Sequence, residues 1–399
     1  MRQSRDPADG LRQEGDRNIY SCWAQQPGSR GCGPLRNLFC PEGRPTPEIY
    51  PDPMRLGVIP EGIIDLIALL SGRMPLPVVK SFWGYAMGRT VLAGVRLGVF
   101  DALDSGPKSA SEVARIIKTD PDATETLLNA LNGFGLIKRK KGRYSLTTAA
   151  RKWLTQNSAT TMKDSVLFIG EVCREFERLE DVVRSGRPPH FHDLKRPEEF
   201  WNSYLRGLGT FARFGSREIV RKVRFDRPPQ RMLDVGGGHG VYTIEFLKRY
   251  PSLTAVILDL PPAIEVGRKM IVEAGLSDRI RFRAQDMRVG DWGSGYDLVL
   301  LFNVIHAVPI DDAEGLIENA YQALNESGRL VILDSEHTGG DKDLSLTSGL
   351  NELLFFVING TRAYPEARVR EWLTKSGFRR VTKKHLLVMP MAMLLIADK

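Results

Sequence analysis

Cysteine is scarce in this sequence: four in 399 residues, too few for a disulfide framework. Cys22, Cys32 and Cys40 lie in a Gly/Pro/Arg-rich leader at spacings of ten and eight that match no metal-binding pattern, and Cys173 sits alone in a helical stretch. No metal is expected. Long apolar runs are missing too. No stretch approaches the ~18 residues of a membrane span, and the best candidate, Leu56 to Leu70, is broken by Glu61, Gly62 and Asp65. Residues 1–53 lack the apolar core of a signal peptide; seven Lys/Arg balance seven Asp/Glu there, and Pro/Gly content without periodicity reads as disorder. The expected compartment is therefore the cytoplasm, with no membrane partner. Charge is not gathered into a tail either: the net +8 is scattered along the chain. What remains, 42% hydrophobic and 26% charged residues, is the composition of a globular protein with material for two or three domains.

The most informative stretch is Arg231 to Gly240, Arg-Met-Leu-Asp-Val-Gly-Gly-Gly-His-Gly. An apolar run carries Asp234 near its end, Gly236, Gly238 and Gly240 follow at every second position, and Val241 to Tyr250 has helical apolar spacing. A strand that turns through glycines into a helix brings a ligand against the backbone where no Cβ intrudes. Asp259, nineteen residues past Gly240, ends a second apolar run. An acid there is placed to accept both hydroxyls of a ribose. The spacing D-x-G-x-G-x-G is not the G-x-G-x-x-G of dinucleotide enzymes, whose helix dipole faces a pyrophosphate. An acid ahead of the glycines repels phosphate and suits a cation. S-adenosylmethionine, with a sulfonium, an ammonium and one carboxylate, is the expected cofactor. A glycine turn without a ligand explains Gly236 to Gly240 but not Asp234 and Asp259 as well.

From Pro77 to Leu103 apolar residues recur at helical spacing, with small residues Gly84, Ala86, Gly88, Ala93 and Gly94 among them, as in an intersubunit interface. Ser109-Ala-Ser-Glu112 is a capping box opening a short helix. Asp120-Pro121 starts a second helix, and Gly135 to Leu146 reads as a hairpin turning at Lys141-Gly142. Helix, helix, hairpin is a winged helix-turn-helix. Thr161 to Ser185 and Pro197 to Lys222 both read as helical, joined by a loop carrying His190, Phe191 and His192. Beyond the hinge at Pro228-Pro229, strands are expected at Met232–Val235, Ala255–Asp259, Ile280–Ala284, Leu298–Val304 and Leu330–Asp334, with two more near Arg379–Val388 and Met391–Ala397. Their alternation with helices argues a mostly parallel sheet covered on both faces.

This order of parts resembles the S-adenosylmethionine-dependent O-methyltransferases that carry an N-terminal winged-helix dimerisation domain, a family of plant, animal and bacterial enzymes. The resemblance spans about Ser81 to Lys399 and rests on Leu97-Gly-Val-Phe100, Leu131 to Leu136, Tyr144-Ser-Leu-Thr147, Leu233 to Gly240, Asp259-Leu-Pro261, Asp286-Met287 and Tyr296 to His306. It implies an α/β Rossmann-like methyltransferase domain with a mostly parallel seven-stranded sheet, preceded by an α-rich winged-helix dimerisation domain. The division it suggests is a leader at 1–55, the winged-helix domain at 56–160, a helical connector at 161–225 that contributes to the substrate pocket, and the catalytic domain at 226–399. By position, Asp234, Gly236, Gly238 and Gly240 line the methionine part of the cofactor and Asp259 holds the ribose. Asp286 accepts the adenine amino group, and Met287 packs on the ring; the plainer reading of Asp286 is a solvated loop acid.

His306 stands where plant relatives carry the catalytic base, at the end of the fourth strand and beside the first. A phenol has a pKa of about 10 against about 6.5 for histidine, so full proton transfer before attack is uphill by roughly 5 kcal/mol. Proton removal is therefore expected to accompany methyl transfer, with most of the rate coming from positioning. The blander reading is a histidine that only hydrogen-bonds at a strand end. Asp334, closing the fifth strand, is in place to orient the imidazole; its alternative is a solvated loop acid. A second flanking acid is not evident near Arg362 to Pro365, with Glu366 the nearest. Phe302 replaces the lysine of plant enzymes, and Ala307-Val308 replaces the Asp-Trp that follows their histidine, so plant substrate preferences do not transfer. His239, inside the glycine loop, reads as a packing residue. Phe168, Trp201, Phe211, Phe214, Phe302 and Phe355 are candidate walls of the substrate pocket.

The expected reaction is methylation of a hydroxyl on a small aromatic compound (phenolic, quinone-like or polyketide) by a homodimer. The same fold methylating nitrogen or carbon, or doing decarboxylase or hydroxylase chemistry, is the alternative. A DNA-binding regulator is the more distant one. The wing Lys138-Arg-Lys-Lys141 is basic, but the expected recognition helix, Pro121 to Phe134, has no Lys or Arg for a phosphate-lined groove. No nucleic-acid partner is expected.

Overall fold

The computed structural model describes residues 62–72, 74–188, 191–335, 337 and 346–399. The leader expected at 1–55, with three of the four cysteines, and His190 lie outside the described residues.

Helices α1 (Ile63–Leu70) and α2 (Leu76–Leu97) come first. The single helix expected from Pro77 to Leu103 is broken at Gly98, whose φ of +80° ends α2 in a left-handed cap before the short α3 (Val99–Ala102). Glycine adopts that conformation at no steric cost, which is why the apolar spacing continues but the helix does not. The capping box opens α4 (Ala110–Ile117): the Glu112 N–H donates to Ser109 Oγ at 3.2 Å and the Ser109 N–H to Glu112 Oε2 at 2.6 Å. Asp120 caps α5 (Pro121–Gly133) by accepting from the Ala123 N–H at 2.8 Å. Strands β1 (Ile137–Lys140) and β2 (Arg143–Leu146) pair antiparallel about Lys141 and Gly142, both at positive φ, as a two-residue hairpin turn requires. Thr147 caps α6 (Thr148–Leu154). Val95, Phe100, Leu128, Leu131, Ile137 and Tyr144 form the core of this winged helix.

The helix expected from Thr161 to Ser185 is two, α7 (Lys163–Phe176) and α8 (Leu179–Ser185), and α9 (Glu198–Lys222) is the long helix expected after them. Helices α7 and α9 meet closely: Ser165 Oγ donates to the Gly207 carbonyl at 2.9 Å, and a Cβ on Gly207 would lie 2.3 Å from that of Phe168.

The sheet follows: β3 (Arg231–Val235), α10 (Val241–Arg249), β4 (Thr254–Asp259), α11 (Pro261–Glu273), β5 (Ile280–Ala284), β6 (Tyr296–Phe302), α12 (Ile310–Ala323), β7 (Leu324–Ser335), α13 (Leu346–Asn359), α14 (Glu366–Lys375), β8 (Val381–Lys384) and β9 (Ala392–Asp398). Its order is β5-β4-β3-β6-β7-β9-β8; β9 runs antiparallel to β7 and β8, and the other pairings are parallel. Residues alternate between the faces: Leu298, Leu300 and Phe302 of β6 join the core shared with α9 to α11, while Val299 and Leu301 join the core shared with α12 and α14. A parallel strand buried on both sides needs this continuous apolar run. The chain crosses from one side of the sheet to the other between β3 and β6, and such a switch point opens a crevice at the carboxyl ends of the strands.

Candidate active site

Register lines those carboxyl ends up. Val235 lies opposite Leu258 and Leu301, and Asp259 opposite Ala284. The ladder runs one step past the strands, through Gly236 N–H to the Leu258 carbonyl at 2.7 Å and Asn303 N–H to the Leu333 carbonyl at 2.7 Å. The turn after β3 depends on glycine. Gly236 has a φ of +68°, and a Cβ on Gly238 would lie 2.7 Å from Asp259 Oδ2. The Gly238 N–H donates to that oxygen at 2.8 Å, and the Leu260 N–H to Asp259 Oδ1 at 2.7 Å. Burial pushes the Asp259 carboxyl up to about 6, against those two backbone bonds.

Asp234 lies beneath the loop, 1% exposed. Thr243 Oγ1 donates to its Oδ2 at 2.5 Å, and its Oδ1 has no hydrogen-bond partner. Burial raises this carboxyl to about 7; the Thr243 bond works the other way and the charge of Asp259 adds to the rise. Two acids under one glycine turn, one with an orphaned buried oxygen, form a site that a cation completes. These residues therefore fit a sulfonium- and ammonium-bearing cofactor and oppose a pyrophosphate.

Asp286 follows β5 and is gripped by Arg288, whose Nη2 lies 2.6 Å from Oδ2 and whose N–H donates to Oδ1 at 2.9 Å. Those hydrogen bonds hold its carboxyl below the usual range. A carboxylate offers about four acceptor positions, so the Arg288 contacts still leave room for an amino group. Met287 is half-buried against the core on the α12 side of the sheet, and its carbonyl accepts from Trp292 Nε1 at 3.1 Å. His239 turns back on its own loop, its Nδ1 accepting from the Val241 N–H at 3.1 Å, and burial holds it at about 4, neutral. A packing role suits it.

At the tip of β6 the chain enters a tight turn at Ile305–Ala307. His306 Nδ1 is 2.6 Å from Asp334 Oδ1, with the imidazole 12% and the carboxylate 2% exposed. Asp334 is thus not a solvated loop acid. It also accepts from the Ser335 N–H at 2.7 Å. The Phe355 ring stacks on the imidazole at 3.9 Å and 20°, and Thr361 Oγ1 donates to the His306 carbonyl. Glu366, the acid nearest the place where a second flanking acid was not evident, is engaged by Arg370 at 2.7 Å and Lys383 at 2.9 Å.

Of the aromatic candidates, Phe168, Trp201, Phe302 and Phe355 are buried. Phe211 and Phe214 are 43% and 49% exposed, and Phe214 lines a cavity of about 710 Å³ with Trp153, Arg213 and Met270. Tyr204 and His192 were not anticipated as a pair. Tyr204 stands among Phe168, Phe191 and Phe200, and its hydroxyl lies 2.9 Å from His192 Nε2. Phe200 to Tyr204 is one turn of an aromatic helix, the one local signal for this wall. Among the described residues no group of His, Cys, Asp and Glu is arranged to hold a metal, and no helix is long and apolar enough to cross a membrane.

Comparison with known proteins agrees with this architecture. Residues 176–379 match the O-methyltransferase domain model and residues 79–156 the O-methyltransferase dimerisation domain model. The 3-hydroxy-5-methyl-1-naphthoate 3-O-methyltransferase of Streptomyces sahachiroi is 27% identical over 303 residues, 73% of this chain and 86% of the relative. The L-tyrosine C(3)-methyltransferase of Streptomyces lavendulae is 27% identical over 331 residues, 78% of this chain and 90% of the relative. Human N-acetylserotonin methyltransferase, solved in complex with S-adenosylmethionine, superposes with a TM-score of 0.71 at 22% identity, covering 81% of this chain and 96% of that one. The fold and site define a methyltransferase of the Rossmann-like class. More particularly, the chain belongs to the O-methyltransferase family with an N-terminal dimerisation domain, and its methyl donor is S-adenosylmethionine.

Proposed function

We propose that this enzyme methylates a hydroxyl of a small aromatic metabolite, phenolic, quinone-like or polyketide-derived, with His306 as general base and Asp334 as its orienting acid. The observation that carries the reading is the buried His306–Asp334 pair at the tip of the strand next to the glycine loop. Bound S-adenosylmethionine supplies an electrophilic methyl group on a sulfonium. Asp234 and the turn Gly236–Gly240 hold its methionine part, Asp259 the ribose, and Asp286 with Met287 the adenine. Asp334 engages His306 Nδ1, which leaves Nε2 to accept the hydroxyl proton as the oxygen becomes nucleophilic. The buried carboxylate stabilises the imidazolium that forms, and Phe355 keeps the ring in plane. Most of the acceleration comes from holding oxygen and methyl in line in a dry pocket.

A homodimer is part of this reading. Ile63, Ile64, Ile67, Leu70, Phe82 and Trp83 are all more than half exposed on α1 and α2, apolar surface that a partner subunit would cover. A cytoplasmic setting goes with it. A carbon-methylating variant has one observation in its favour, the tyrosine C(3)-methyltransferase relative. It would use the same proton transfer, since an ionised phenol is nucleophilic at the ortho carbon as well. Incubation with methyl-labelled S-adenosylmethionine and a panel of phenols, hydroxynaphthoates and hydroxyindoles decides between them. Label in an aryl methyl ether is expected; label only on carbon or nitrogen refutes the oxygen assignment.

A further inference from the structure

The cavity of about 710 Å³ that Phe214 lines has no part in the chemistry just described. Its walls come from α6, the segment 159–162, α9, α10 and the end of α11. Neither the residues at the strand tips nor His306 or Phe355 is among them. Thr210, Val241 and Met270, all buried, line it from α9, α10 and α11. Trp153 of α6 meets Phe214 of α9 edge to face, with ring centres 6.1 Å apart and planes at 67°. The volume falls in the range of small-molecule sites, about 300–1,000 Å³.

Charge decides what such a recess takes. Its two acids are already matched: Glu245 by Lys248 at 2.8 Å and Arg217 at 3.6 Å, Glu273 by Arg206 at 3.3 Å. Two of its cations are not. Among the described residues neither Arg213 nor Lys152 pairs with a carboxylate, and Lys152 Nζ instead lies 4.4 Å from the centre of the Trp153 ring. On open surface an unpaired cation calls for no partner. Here both stand in the walls of one cavity, beside two aromatic rings and the thioethers of Met162 and Met270. A guanidinium binds a carboxylate through two parallel hydrogen bonds. Rings pack edge to face on Trp153 and Phe214 and against thioether sulfur. Glu245 and Glu273 in the same walls repel a polyanion, so a phosphate chain does not suit the site and a single negative charge does.

We propose that this cavity is a binding site for an aromatic carboxylate, with Arg213 and Lys152 holding the acid group and Trp153 and Phe214 the ring.

The test is calorimetry on full-length enzyme loaded with S-adenosylhomocysteine. The probes are 4-phenylbenzoate and 4-phenylbenzamide, which share a shape and differ in charge. Wild type binds the acid at least tenfold more tightly than the amide. Arg213→Met weakens the acid about tenfold, the order of one charge-assisted hydrogen bond, and leaves the amide unchanged. Arg213→Lys, which keeps the charge, recovers part of the loss; Arg213 is exposed on α9, so both variants fold. Trp153→Leu weakens both probes alike. Phe355→Leu, at the proposed acceptor site, changes neither. No heat from the acid at millimolar concentration, an acid no tighter than the amide, or wild-type affinity for the acid in Arg213→Met or Trp153→Leu overturns the proposal. So does loss of the acid in Phe355→Leu, which would put the probe beside His306 instead. Methyl transfer is not the readout, so failure of the proposed reaction leaves this assignment standing.

Discussion

The two ends of the crevice are built differently. At the proposed donor end the polar groups come from one continuous stretch, Asp234 to Thr243, and from Asp259 at the next strand tip, tied to the loop by the Gly238 N–H. At the proposed acceptor end His306, Asp334 and Phe355 come from three separate segments, Asp334 bonding the imidazole from β7 and Phe355 stacking on it from α13. A site made by a turn survives sequence change through a short spacing rule. A site made by tertiary contacts can change its substrate without touching that rule, as relatives that methylate different atoms illustrate.

The comparison can be broken from either side. The largest effect is expected from His306→Ala: kcat on a phenol falls by 10² or more, in the range of lost general bases, while calorimetry finds donor affinity unchanged. Matching losses in both would make the two ends one unit. Next, Asp234→Asn removes the buried charge under the loop and weakens S-adenosylmethionine by about 1.5–3 kcal/mol, the cost of a lost charge-assisted bond. Acceptor binding to that variant stays as in wild type. Asp259→Ala costs about 1–3 kcal/mol of donor affinity by leaving polar partners unpaired; an unaltered dissociation constant would move the ribose elsewhere. The smallest effect sharpens the acceptor side: Phe355→Leu loses ring stacking worth about 0.5–1.5 kcal/mol and lowers kcat several-fold without changing donor affinity.

The same contrast explains what was legible in the sequence. Caps at Ser109 and Asp120, the Lys141-Gly142 turn and the strand expected at Met232–Val235 follow from local chemistry and stand where the spacing placed them. The break at Gly98 was hidden because apolar spacing persists on both sides of it, and only backbone sign distinguishes a cap from a continuing helix. Helix α13, Leu346–Asn359, was not singled out in the sequence, although it is strongly apolar. With α13 missing, nothing could join Phe355 to His306. Phe211 and Phe214 stand outside the buried aromatic cluster for a related reason: an aromatic on an amphipathic helix does not declare which side the core lies on.

The central claim is that the loop after β3 takes a cation against Asp234. In the unliganded protein that carboxyl is raised to about 7 by burial, and a bound cation favours its ionised form. Binding below that pH must therefore expel a proton, so affinity rises from pH 6 to 7.5. Titrating S-adenosylmethionine calorimetrically at both pH values, in buffers of different ionisation enthalpy, measures this directly. The account predicts a dissociation constant several-fold lower at pH 7.5 and proton release at pH 6, both abolished in Asp234→Asn; tighter binding at pH 6, or proton uptake, would contradict it.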